Sequence, residues 1–131
     1  MCSNSPHKIT DYLQYDYVGA PWPLNPQLPV LGGNGAFSLR SRSKTIKLLQ
    51  NMTFPAGAGI PEDVWFSRHL PSIAVLPPRN IARTFSVEGV YYENPMALHK
   101  IWLNQEMNHH HLKKICEICP EAKLIPPYCI T

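Results

Sequence analysis

Proline limits how this chain can fold more than any other residue. Fourteen of its 131 residues are proline, about twice the ordinary share. Each removes a backbone donor and is excluded from helix and central-strand interiors. Four of them fall between Pro21 and Pro29 (PWPLNPQLP), so that stretch is an irregular loop. Pro77 and Pro78 stop the apolar segment before them, Pro61 suits a first helical position, and Pro120 ends whatever helix precedes it. Regular elements are therefore short and lie between these points. Leu, Ile, Val and Phe still make up about a quarter of the residues, above the range of disordered chains, so one domain can bury a core.

Between the prolines, Ile9 to Leu13 reads as a helical turn and Tyr15 to Ala20 as a short aromatic strand. Phe37 to Arg40 reads as a second strand. Ser41 is an N-cap for a helix to Met52, with Ile46, Leu49 and Met52 as its apolar stripe. Glu62 and Asp63 open a helix running to about Leu70, where acids complement the dipole. Asn80 to Arg83 fits a short helix and Thr84 to Val87 an extended segment. A last helix is expected from Leu103 to Cys119, with Met107, His111, Ile115 and Ile118 on one stripe. Few short strands, several helices and long loops make the fold class α/β, resembling one flank of an α/β sheet with the first half of the usual alternation missing.

The net charge of +3 is mild and the basic residues are scattered, which argues against nucleic acid as a partner. No apolar run approaches a membrane span, and the polar start MCSNSPHK is no secretory signal. Cytoplasm is then the default location, and four cysteines without a signal read as reduced thiols.

Several stretches carry chemistry. In LGGNGAFSLR (31–40) the glycines admit positive φ and close approach, and a run of free N–H groups could bind an anion or sugar hydroxyls. Asn-Gly is equally the commonest two-residue hairpin signal, although a proline-rich loop precedes it. Glu62 and Asp63 serve either the helix dipole or a pocket as general base. His99 offers a metal ligand and Lys100 a phosphate partner, or both are solvated surface. Tyr15, Tyr17 and Trp22 fit core packing or stacking on a sugar or base. His109, His110 and His111 with Cys116, Cys119 and Cys129 suggest zinc. On a helix, however, His109 lies about 10 Å along the axis from Cys116, too far to share one ion.

Taken in order, YDYVGAPW (15–22), GGNGAFSLRSR (32–42), PEDVWFS (61–67), ARTFSVE (82–88) and HKIW (99–102) resemble a family. It is the domain of unknown function 5672, common in fungi and bacteria and similar to GT-A glycosyltransferases. The resemblance runs from about Met1 to Glu121. It implies metal-dependent transfer of a sugar from a nucleotide sugar to a hydroxyl acceptor, with a divalent ion, usually manganese, on the diphosphate. Carried over residue by residue, Gly32, Gly33, Asn34 and Gly35 border the sugar, with Arg40, Trp22 and Lys100 as further substrate contacts. Asp63, beside Glu62, is the catalytic base, and His99 holds the metal. The family usually carries Gly-Gly after the Asn and Phe-Gly before the His, where this chain has Gly35-Ala36 and Ala97-Leu98. The resemblance implies a single incomplete GT-A-like, Rossmann-related domain over 1–131. It corresponds to the acceptor-side part without the nucleotide-binding half, and so to a chain that is inactive by itself. The alternative is a non-catalytic interaction or zinc module on the C-terminal His/Cys helix.

Overall fold

The computed structural model describes residues 1–103, 107–125 and 129. Its centre is an antiparallel ribbon of β1 (Tyr17–Ala20) and β2 (Asn34–Arg40), joined by the proline-rich loop. An isolated two-stranded ribbon is marginal in water, and here helices cover both faces. Successive strand side chains alternate sides. Tyr17 packs with Leu48 of α1 (Arg42–Asn51) and with Trp65 and Phe66 of α2 (Glu62–His69). Val18 points the other way, into a cluster with Tyr12, Met96, and Ala82 and Phe85 of α3 (Arg79–Phe85). All four residues of β1 are consequently buried. The Phe37 ring stacks on Phe85 at 5.2 Å, and Tyr12 meets the same ring edge-on at 5.0 Å. The result is a small layered α/β arrangement.

A second, parallel pair, β3 (Ser86–Val87) with β4 (Ala97–Leu98), leads to a third cluster. Val87, Ile101, Met107 and Ile115 of α4 (His109–Ile118) close there on Cys2 and Cys119. The Cys2 N–H donates to the Met96 carbonyl at 2.8 Å, which ties the first residues to the segment just before β4. Cys2 is there bonded to Cys119, and Cys116 to Cys129. The reading of reduced thiols is therefore corrected. The 117-residue separation of the first pair hid a contact that only the fold creates.

Local signals located several elements well. The Ser41 hydroxyl accepts from Lys44 N–H at the start of α1, and α2 follows directly on Pro61. Other boundaries moved. The stripe Ile46, Leu49 and Met52 is the exposed side of α1, at 43%, 47% and 39%, while Leu48 is 3% exposed. The helix turns that way because Leu48 packs with Tyr17 and Trp65, and the Lys44 ammonium donates to the Ile73 carbonyl at 2.8 Å. α3 continues through Phe85, leaving only Ser86 and Val87 extended. Ile101–Leu103 is a 3-10 turn, and α4 starts at His109 because the Asn108 side chain accepts from His111 N–H at 2.9 Å. Residues 104–106 of the expected helix lie outside the described residues. Among the described residues no helix is long and apolar enough to cross a membrane.

Candidate functional site

The glycine stretch is neither a two-residue turn nor an open loop. It is a bulge in a strand that pairs after all, across the proline loop. Gly19 pairs with Ser38 and Ala20 with Asn34, so Gly35, Ala36 and Phe37 are looped out of β2. Such bulges re-aim the groups that follow them. This one is held by Ser38 Oγ donating to the Gly35 carbonyl at 3.0 Å and Ala36 N–H donating to Asn34 Oδ1 at 2.9 Å. Gly32 takes φ of 95°, a left-handed conformation that suits glycine, and a Cβ there would collide with Ser67. Gly33 N–H donates to Ser67 Oγ at 3.3 Å, and its carbonyl accepts from Tyr17 at 2.7 Å. The N–H groups of Gly33, Gly35 and Ala36 are thus already donated inside the chain.

The bulge aims Gly35 at the start of α2. Its N–H donates to Asp63 Oδ2 at 3.0 Å, and Asp63 Oδ1 accepts from Val64 N–H at 2.8 Å. A Cβ on Gly35 would strike Glu62 Oε1 and Arg40 Nη2, so these four residues are packed on one another. Glu62 is committed to Arg40, whose Nη1 and Nη2 reach both carboxylate oxygens at 2.9 and 2.8 Å. The Arg40 guanidinium in turn lies over the rings of Tyr17 and Phe66, 5.0 and 5.3 Å from their centres. Of the adjacent acids, Asp63 is the one oriented by backbone N–H groups, with lone pairs to spare.

Glu88, directly after β3, completes the cluster. Its Oε1 lies 3.4 Å from His99 Nδ1, and Asn34 Nδ2 reaches the same oxygen in a long 3.5 Å contact. Glu88 Oε2 and His99 Nδ1 are both buried without a hydrogen-bond partner. Burial raises the Glu88 carboxyl above its ordinary value; His99 and Lys100 oppose the shift, and the negative charge of Asp63 adds to it. Lys100 holds φ of 44°, a strained position for a residue with a side chain, of a kind that gathers at functional sites.

Asn34, Gly35, Arg40, Glu62 and Asp63 therefore lie along one set of contacts that reaches His99 through Glu88, with Gly32 and Gly33 packed beneath it; Lys100 follows His99 in the chain and acts on Glu88 through its charge. Trp22 is half-buried, and its carbonyl accepts from Arg79 at 2.7 Å. Glu88 escaped sequence reasoning; a single acid after a two-residue strand has no pattern, and only its burial marks it. For a divalent ion the cluster offers two donors, the Glu88 carboxylate and the His99 imidazole. No group of three His, Cys, Asp or Glu is arranged for metal among the described residues. At the C-terminal helix, Cys116, Cys119 and Cys129 are in disulfides. They are not the thiolates that zinc needs, which removes the basis of the zinc reading.

The fold and this cluster define a mixed α/β protein with a carboxylate–imidazole site at the edge of a bulged ribbon. The chain belongs to DUF5672, a family of proteins of unknown function, which matches residues 1–99. The match thus ends at His99, short of the expected reach to Glu121. No curated protein and no solved structure matches the chain.

Proposed function

We propose that this cluster is the acceptor-side site of a glycosyltransferase, moving a sugar from a nucleotide sugar to a hydroxyl. The observation that carries the reading is the setting of Asp63. It is a carboxylate fixed by two backbone N–H groups at a helix start, within electrostatic reach of the half-buried Glu88–His99 pair. In the proposed reaction the acceptor oxygen bonds to the anomeric carbon while its proton passes to Asp63. The bond from that carbon to the diphosphate oxygen breaks, and its electron pair leaves with the diphosphate. Glu88 and His99 supply an oxygen and a nitrogen donor of the kind divalent first-row ions accept. Manganese would accept this pair, with phosphate and water completing its ligands. When bound, the ion would offset charge on the leaving diphosphate. Lys100 adds a cation beside them.

The test is release of nucleotide from a panel of nucleotide sugars incubated with the full chain and manganese. Turnover that disappears in Asp63→Asn, with the fold retained, would support the reading and overturn the expectation that the chain is inactive by itself. Neither turnover nor binding of any nucleotide sugar would overturn the reading.

A further inference from the structure

A cavity of about 310 Å³ opens directly beside the Glu88–His99 pair. Ile101 and Trp102 of the 3-10 turn form one wall, Ala122 and Ile125 form another, and His99 and Lys100 line it as its polar groups. This is the usual make-up of a small-molecule site: an apolar body with a few convergent polar groups. Its volume is about twice the roughly 150 Å³ that accepts a benzene molecule in a dry cavity, which corresponds to a bicyclic aromatic. Trp102 and His99 are both among its lining residues, and aromatic side chains favour offset or edge contacts with a second ring. His99 belongs both to this lining and to the ion pair with Glu88, so the cavity borders the carboxylate–imidazole pair. Apart from Leu98, the apolar lining lies beyond residue 99, where the family match ends.

We propose that this cavity seats the aromatic body of the acceptor, making the acceptor a phenol or aryl alcohol of about naphthalene size. This rests on the transferase reading for the words "acceptor" and "transfer"; the occupancy of the cavity rests on its own chemistry. A free sugar, whose surface is largely hydroxyl, would leave most of its donors and acceptors unpaired against Ile101, Trp102 and Ile125.

Isothermal titration of the full chain with 2-naphthol, and in parallel with glucose, tests this without nucleotide or metal. Binding of 2-naphthol and not of glucose is expected. Ile125→Glu, at a position 47% exposed and so tolerant of a charge, should weaken 2-naphthol about tenfold by placing a carboxylate at the apolar wall. Ala122→Leu, which fills the cavity, should do the same, and unchanged melting temperatures confirm that either variant folds. No binding to the native chain, equal binding of glucose, or indifference to both wall variants overturns the proposal. Nucleotide release with glucose but not 2-naphthol as acceptor would overturn it while leaving the transferase reading standing. Naphthol binding without any nucleotide release would uphold the cavity assignment and sink the transferase reading.

Discussion

Arg40 and Glu62 meet fork to fork, Nη1 to Oε2 at 2.9 Å and Nη2 to Oε1 at 2.8 Å, with the guanidinium lying over Tyr17. The two ends of this contact differ in worth. The Glu62 side chain is 50% exposed and that of Arg40 26%, so the ionic part contributes only about 0.5–1 kcal/mol. Arg40 also covers Tyr17 and Phe66, and its loss removes packing and cation–π attraction as well. Arg40→Ala should therefore destabilise by about 1–2 kcal/mol, and Glu62→Gln by about 0.5 kcal/mol. Urea denaturation reads both. Equal losses would show that the rings contribute nothing.

Gly35→Ala should cost about 1–3 kcal/mol, because the new methyl meets Glu62 and Arg40 in a packed bulge. Since Gly35 and Asp63 share a hydrogen bond, their substitutions should not add. The double variant Gly35→Ala/Asp63→Asn, melted beside both singles, checks this. Strict additivity would mean that the bulge and the helix start act independently.

Peptide mapping of the oxidised protein without reductant should recover Cys2 with Cys119 and Cys116 with Cys129. The chain-entropy estimate gives about 4–5 kcal/mol for the long loop and about 3 kcal/mol for the short one. Cys2→Ser should accordingly lower the melting temperature more than Cys129→Ser. The reverse order, or scrambled pairs on the map, would contradict the docking of the first residues on α4.

Burial raises the phenols of Tyr17 and Tyr12 above their ordinary value of 10.0, the Thr84 hydrogen bond opposing the shift at Tyr12. Groups whose folded value is raised favour the folded state below the unfolded value and withdraw that support as pH climbs past it. Stability should thus fall above about pH 10 as unfolding releases their protons. Phenolate absorbance near 295 nm should report fewer tyrosines titrating in the native protein than in urea. A native titration that overlays the denatured one would refute the burial of these rings.

What the sequence disclosed was chiefly local. Ser41 and Asn108 each cap a helix by reaching a backbone N–H three residues on, but only the first was legible. Three histidines after Asn108 carry no apolar period to mark the start of α4. Pro61 announced α2, because proline suits a helix entrance whatever surrounds it. The orientation of α1 was illegible, since one buried Leu48 outweighed three regularly spaced apolar residues, and the ribbon that decides this lies elsewhere in the chain. The bulge depends on Gly19 and Ala20 meeting residues beyond a proline loop, a register no local pattern encodes. Asp63 stood out beside Glu62 in a helix start, and His99 stood out as a type of residue. Glu88 gained its character from Asn34, far away along the chain, and from His99 beyond the next loop.

The Cys2–Cys119 bond has a consequence for the chain as an object. It turns most of the polypeptide into a covalent ring that contains the ribbon, the carboxylate cluster and the exposed residues 24–27 of the proline loop. A protease that cut at Asn25 would open this ring without dividing the molecule. Both β-strands, now on separate fragments, would stay tethered through sulfur as well as through their ladder. Ile101 and Trp102 lie inside the same covalent ring, so the cavity wall they supply is tied to the rest of the chain from both directions.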